Sequence, residues 1–383
     1  MGATTNKPSP KPKEVQETNR ITAMRFIEAF NNNGWDTVRE VVAPDYVLHH
    51  PIGGTIQAGP EGMVQAWSGF KAALPDSWHP IPVMVTEGDY LAVLLPTYGH
   101  FTGVPYHGIP PTNKWLEYGM VNMVRIENGK ISEAWFGMDS LAETQQMGAA
   151  PPLPPRDLSE TEKANISLFQ QTVDKSNEEY DNLTAFDDVV VVLSPPQYEK
   201  DTTARDLKVY RIANGSLRLI RANHMRTSPP YSGNPNADTE ESRTLVEHWF
   251  RDVLTNRDLE LLDTVALADI LIHKTAMPCE ANYYGINGVK TWLGEHWRSF
   301  PNLEITEYFT LAQGDIVAAR WKARGKSEGN FLILPPTGKT VEYTGVSMYR
   351  IEEGKIAEIW ETRNTLGIMQ QLNPELRSDM HSH

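Results

Sequence analysis

Residues 110–135 begin Pro110-Pro111-Thr112-Asn113-Lys114, run through Arg125-Ile126-Glu127-Asn128-Gly129-Lys130-Ile131 and end on Glu133 and Trp135. Residues 335–360 begin Pro335-Pro336-Thr337-Gly338-Lys339, run through Arg350-Ile351-Glu352-Glu353-Gly354-Lys355-Ile356 and end on Glu358 and Trp360. Each residue of the second stretch stands 225 positions after its match in the first. The same displacement relates Trp67 to Trp292 and Gln145-Gln146 to Gln370-Gln371. It drifts by one at Pro75/Pro301, Gly88-Asp89/Gly314-Asp315 and His49/His273. A displacement held this long is a duplicated domain rather than a short motif. The copies span about residues 18–150 and 239–375.

Outward from the repeat, the two copies share one order of elements. Ile21, Met24, Ile27 and Phe30 recur at helical spacing. Asp36 can cap a second short helix that ends before Pro44. Tyr46 to His50 reads as a strand, and Gly59-Pro60-Glu61 opens a third helix carrying Met63, Trp67 and Phe70. After Pro75 the pattern alternates, with strands expected over 81–87, 90–100, 114–126 and 131–138. Copy two repeats them over 303–309, 315–324, 339–351 and 356–363. Asn128-Gly129 and Glu353-Gly354 supply tight hairpin turns. The fold class is α+β: two cone-shaped domains, each a curved antiparallel sheet with three N-terminal helices. A partial third α+β unit lies between them.

That middle part, 151–228, starts with a stiff linker at Pro151, Pro152, Pro154 and Pro155. A helix from Glu162 and strands over Asp188–Leu193 and Asp206–Ala222 follow. Tyr210-Arg211-Ile212-Ala213-Asn214-Gly215 echoes Tyr349 to Gly354, as a truncated third copy would. Some 70 residues bury too little to stand alone, so the segment should lean on a full copy. A second linker runs from Ser228 to Asp238, and residues 1–17 read as a disordered tail.

The 383-residue chain holds 35 Lys and Arg against 49 Asp and Glu, a net charge of −14, which argues against a polyphosphate or nucleic-acid partner. A single cysteine, Cys279, excludes an internal disulfide or a multi-thiolate metal site and suits the reducing cytoplasm. Neither a secretory leader nor a membrane span is read. Met1 to Arg20 has no apolar segment of leader length, and no long uninterrupted apolar run follows. No metal set is convincing, His381 and His383 included.

Motifs along both copies resemble the SnoaL-like polyketide cyclase family, of the cystatin-like cone fold in the nuclear transport factor two superfamily. In copy one they are His49-His50-Pro51, Gly59-Pro60-Glu61-Gly62, Leu74-Pro75-Asp76, Gly108-Ile109-Pro110-Pro111-Thr112 and the tail Trp135 to Gly148. The resemblance implies acid–base chemistry inside the cone with neither metal nor cofactor. It places the proton-exchanging carboxylate on the last strand, at Asp139 by motif position. Copy two has Asn364 there, and Arg320-Trp321 where copy one has Leu94-Leu95.

Asp139 would share a strand face with Glu133, Trp135 and Gly137, so it lines the cone if Trp135 does. Before Ser-Leu-Ala-Glu, Asp139 is equally good helix-cap chemistry. His49 and His50 end a strand, one facing inward, and complete the catalytic candidates. Tyr98, His100, Tyr106 and His107 would orient an oxygen-rich substrate near the mouth. Trp67, Tyr118, Asn122 and Trp135, with His273, Tyr343 and Trp360 in copy two, would form walls. Arg320 and Arg324 share a strand face and would bind an enolate oxygen or form outward ion pairs.

The expected function is cofactor-free cyclisation of an oxygenated polyketide or terpenoid intermediate. The closure would be of aldol type, or dehydration followed by pericyclic closure such as hetero-Diels–Alder addition. The alternative is a non-catalytic binder or scaffold of the same fold. Hydrolytic chemistry is disfavoured because no second acid is visible beside Asp139. A homodimer or an intramolecular pseudo-dimer is expected, since sheet faces of such cones pair.

Overall fold

A computed structural model describes the chain except residues 1–3, 7, 10, 51–53, 151–152, 154–156, 174–179, 181, 195–196, 200–201, 227–230, 274–282 and 378–383. Pro51, Cys279, Ser228, the linker prolines 151, 152, 154 and 155, and the histidines 381 and 383 lie outside the described residues.

The first copy runs α1 (Lys13–Asn31), α2 (Trp35–Val41), β2 (Val42–His50), β3 (Gly54–Gln57) and α3 (Gly59–Ala73). Then come β4 (Val83–Glu87), β5 (Tyr90–His100), β6 (Trp115–Glu127), β7 (Lys130–Met138) and α4 (Ser140–Met147). Its sheet has the order β3-β2-β7-β6-β5-β4. The expected all-antiparallel sheet is corrected here: β2 pairs with β7 in parallel. The helix α3 carries the chain across between β2–β3 and the later strands, so β2 enters alongside β7 rather than folding back on it.

Buried Ala23, Phe26, Ile27 and Phe30 form the packed stripe of α1, whereas Ile21 and Met24 are exposed. The stripe is thus rotated from the expected one, because the 23–26/27–30 spacing presents the larger continuous apolar face. Asp36 does not cap α2. Gly34 holds that place, and Asp36 pairs with Arg39 at 2.9 Å.

The middle segment has α5 (Glu160–Val173), β8 (Asn182–Phe186), β9 (Val189–Leu193), β10 (Gln197–Glu199), β11 (Thr202–Ala213) and β12 (Ser216–Arg226). One face of its sheet meets α5, where Phe169 is fully buried with Ala185, Val190 and Val192. The other face, with Phe186, Val191, Leu193, Leu207 and Val209, joins the core of the second copy.

The second copy runs α6 (Thr239–His248), a π-helical stretch Trp249–Thr255, α7 (Leu262–Val265), β13 (Ala266–His273), β14 (Tyr283–Tyr284) and α8 (Gly285–Ser299). It ends with β15 (Glu304–Gln313), β16 (Ile316–Lys326), β17 (Thr340–Glu352), β18 (Lys355–Arg363) and α9 (Thr365–Leu372). Again one pair is parallel, β13 with β18. Within the N-terminal stretch expected to be disordered, β1 (Thr4–Asn6) pairs in parallel with β15, and α1 already begins at Lys13.

Each sheet has a helix-covered inner face. The outer faces of the two sheets share one apolar cluster: Val83, Val85, Ala92, Leu94, Val121 and Met123 meet Leu311, Ile316, Ala318, Val346, Met348 and Trp360. Strand alternation therefore divides strands β4–β6 and β15–β18 between an interior and a sheet-to-sheet junction along the part of each that the cluster covers.

Candidate active site

In the first copy the inner face is built from alternate residues. Leu91, Val93 and Leu95 come from β5, Tyr118 and Met120 from β6, and Ala134 and Met138 from β7, with Phe136 packed against them. Trp67 of α3 closes over this face, its ring 5.2 Å from Phe26, 3.9 Å from Phe30 and 6.2 Å from Phe136. Phe136 lies 6.2 Å from the His50 ring. Tyr106 stands 5.6 Å from Phe70 and 4.1 Å from His107, on a tight turn where His107 and Gly108 both take positive φ.

The polar centre of this wall is Glu143, on the first turns of α4. Tyr118 Oη donates to its Oε1 at 2.8 Å. Glu143 is 8% exposed and Tyr118 2%. Burial pushes the Glu143 carboxyl up to about 7, with the Tyr118 hydrogen bond pulling the other way. Burial also raises the Tyr106 and Tyr118 phenols, and the Glu143 charge adds to both. His50 is drawn down to about 4, by burial first and then by His107. Near neutrality the site therefore holds an uncharged imidazole, two protonated phenols and a carboxyl poised to gain or lose a proton. That is the requirement for a general acid–base.

Sequence reading missed Glu143, although the repeat carried the signal. Its counterpart 225 positions on is Ile368, which is fully buried. An apolar partner at one helical position marks an inward-facing site, so the glutamate there is a buried acid. It is also the second acid close to Asp139 that the sequence reading did not find.

Asp139 caps α4, its Oδ1 accepting from the N–H groups of Leu141 and Ala142 at 3.1 and 3.3 Å. Asn364 does the same in the second copy, accepting from Gly367 N at 2.8 Å. D139A is expected to cost about 1 kcal/mol of stability, and D139N a few tenths, measured by denaturant unfolding.

Of the remaining sequence candidates, His50, Trp67, Tyr106 and Tyr118 come together at this interior, and His107 stands exposed on the turn beside Tyr106. Asn122 uses its Oδ1 to accept from Gly137 N at 3.2 Å. Trp135 does not line the interior, which removes the premise that tied Asp139 to it. It packs at the sheet-to-sheet junction, and His49 stacks on it at 5.3 Å with rings 3° from parallel. His49 Nε2 meets Glu133 Oε1 at 2.7 Å. His273 and Trp360 repeat that stack at 5.2 Å, with Glu358 3.6 Å from the imidazole. Tyr98 is buried on Trp78 at 4.9 Å. His100 pairs with Asp76 at 2.7 Å in solvent. Arg324 is exposed beside Glu342, and Arg320 lies over the Trp135 ring at 5.4 Å.

The second interior differs in kind. The places of Phe136 and Met138 are taken by Glu361 and Arg363, buried at 6% and 8% and paired at 3.6 Å. Arg363 also contacts His296. Trp321 Nε1 donates to Ser347 Oγ at 2.9 Å, and Tyr343 packs edge-on to Trp321. Ile368 leaves Tyr343 without the acid that Tyr118 has.

Among the described residues no group of three or more His, Cys, Asp or Glu is placed to hold a metal ion, and no helix is long and apolar enough to cross a membrane.

The profile of the SnoaL-like polyketide cyclase family matches residues 21–147 and again 244–372. Nogalonic acid methyl ester cyclase of Streptomyces nogalater is 28% identical over 124 residues, which are 32% of this chain and 92% of that protein. Aklanonic acid methyl ester cyclase DauD of Streptomyces sp. strain C5 is 27% identical over 136 residues, covering 34% of this chain and 81% of that protein. The crystal structure of IdmH from Streptomyces antibioticus is similar at 31% identity and a TM-score of 0.31, over 34% of this chain and 98% of its own.

Proposed function

Because this chain belongs to the SnoaL-like polyketide cyclase family, with two copies of the family's domain, we propose that it is a cofactor-free cyclase of specialised metabolism. Its substrate is an oxygenated polyketide or terpenoid intermediate, and the first copy does the chemistry. Relatives that are cyclases of nogalonic and aklanonic acid methyl esters support that substrate class. The observation that carries the proposal is the buried Tyr118–Glu143 pair inside aromatic walls.

In an aldol closure, the Glu143 carboxylate removes a proton from a carbon beside a carbonyl. The enolate carbon then bonds to a second carbonyl carbon of the same molecule. The carboxylic acid so formed returns its proton to the new alkoxide, so the reaction is an isomerisation with no co-reactant. A carboxyl near 7 has both forms at hand at neutral pH. The phenol of Tyr106 and the neutral imidazole of His50 hydrogen-bond the developing oxyanion. Trp67, Phe70 and Phe136 hold the chain folded, and the near-attack geometry supplies much of the acceleration. With the carboxyl protonated, the same site would donate that proton to a substrate hydroxyl, which leaves as water, and the resulting carboxylate would take a proton from the adjacent carbon, so that a diene forms for pericyclic closure.

Asp139 serves as a positioning residue that anchors the helix bearing Glu143. D139N is expected to keep turnover within a few-fold and leave the midpoint of the pH–rate profile in place. A loss of about 100-fold would instead make Asp139 the proton carrier. Each sheet curls into a cone around its interior, and the two outer faces form an intramolecular pseudo-dimer. The second copy, with its charged interior already paired, serves binding or support. Incubation with open-chain polyketide methyl esters tests the reading: a cyclised isomer or dehydrated product supports it, and tight binding without conversion makes the protein a binder.

A further inference from the structure

A cleft of about 210 Å³ opens between the two sheets, away from the interior just described. Tyr90, Met123 and Trp135 contribute from the first copy, and Phe309, Arg320 and Lys322 from the second. Tyr90 sits 4.9 Å from Phe309 and 6.1 Å from Trp135, 28° from parallel with the latter. The Arg320 guanidinium covers the face of Trp135 at 5.4 Å, and Lys322 Nζ is 3.4 Å from Glu342. Both charged residues of the lining are cations, in a chain whose net charge is −14.

The duplication supplies an internal control. Positions displaced by 225 or 226 from Tyr90, Met123, Trp135, Arg320 and Phe309 are Ile316, Met348, Trp360, Leu94 and Val83. All five are buried, at 5% exposure or less, within the shared apolar cluster. The equivalent place is therefore buried apolar packing, with Trp360 stacked against His273. The cleft lies where Tyr90, Arg320 and Phe309 stand in place of the Ile316, Leu94 and Val83 of the other copy, so it is not a generic gap of the junction. An apolar cavity of about 150 Å³ accepts benzene, so this one has room for a single substituted ring.

We propose that this cleft is a second small-molecule site, for a monocyclic aromatic carboxylate or phenolate. The ring lies against Tyr90, Trp135 and Phe309, and its anionic oxygen meets Arg320 and Lys322. The site is independent of acid–base chemistry at Glu143.

Benzoate and 4-hydroxybenzoate, titrated calorimetrically into the full chain, test this. Saturable one-to-one binding is expected, weakened at least tenfold in R320Q, weakened less in R320K, and abolished in M123W, whose indole fills the cleft. E143Q should bind as the wild type does. Circular dichroism establishes that each variant is folded. Absence of saturable binding to the wild type would overturn the proposal, as would equal affinity in folded R320Q or M123W. Loss of binding in E143Q would move the ligand into the interior and overturn it as well.

Discussion

Replacing Glu143 by glutamine is expected to lower turnover by about 100-fold or more while making the protein more stable above pH 7. The two effects share one cause. The carboxyl sits 8% exposed, and burial holds its proton up to about 7 against an ordinary 4.5. Between those pH values the unfolded chain has released the proton and the native chain has not. Native stability therefore falls as pH rises through that window and levels off above it. At about 1.4 kcal/mol per pH unit the loss is about 3 kcal/mol. Glutamine keeps the shape and a partner for Tyr118 but has no proton to lose. E143Q should thus match the wild type near pH 4 and exceed it by about 2–3 kcal/mol at pH 8 in urea unfolding.

The second large effect concerns the tie between the copies. Arg243 of α6 is buried at 2% exposure and donates from Nη2 to Glu87 Oε1 of β4 at 2.6 Å. Its Nη1 reaches Thr310 Oγ1 at 2.9 Å. The other oxygen of Glu87 accepts from Ala312 N at 2.9 Å, so one carboxylate joins a helix and a strand of copy two to the edge strand β4 of copy one. Removing Glu87 leaves the buried Arg243 guanidinium with Thr310 and the longer 3.4 Å contact to Glu240, and removing Arg243 leaves the partly exposed Glu87 carboxylate on Ala312 N, so the larger of the two losses is up to about 3–5 kcal/mol. E87A should cost more than R243A, because the Glu87 side chain is 20% exposed and can recover water, whereas that of Arg243 is 3% exposed and cannot. R243M with E87L restores apolar packing, and its cost should fall well below the sum of the singles in a denaturant double-mutant cycle.

The duplication, the order of elements and most strand limits could be read from the chain, because hairpin glycines and paired prolines repeat at one displacement. What alternation alone could not decide was which face of a strand meets the helices. Trp135 on a strand is a candidate wall by sequence, and Asp139 follows it into the cone only if that wall faces inward. The face of Trp135 is buried too, but against the other copy, and a single sequence does not distinguish the two burials. Alternation sends His49 and His50 opposite ways without saying which is inward; packing sets His50 near Phe136 and His49 on Trp135. Glu143 lay on a helix, outside the strand logic that led to Asp139. Only comparison with Ile368 would have exposed it. Arg320 and Arg324 share a strand face, as read, but one stacks on an aromatic in a cleft and the other stands in solvent.

The account rests on a carboxylic acid kept protonated near neutrality within the first copy. Carbon-13 NMR titration of the side-chain carboxyls, with the Glu143 signal identified by its absence in E143Q, measures this directly. A midpoint near pH 7 is the expected result, and a midpoint below pH 5 would contradict it.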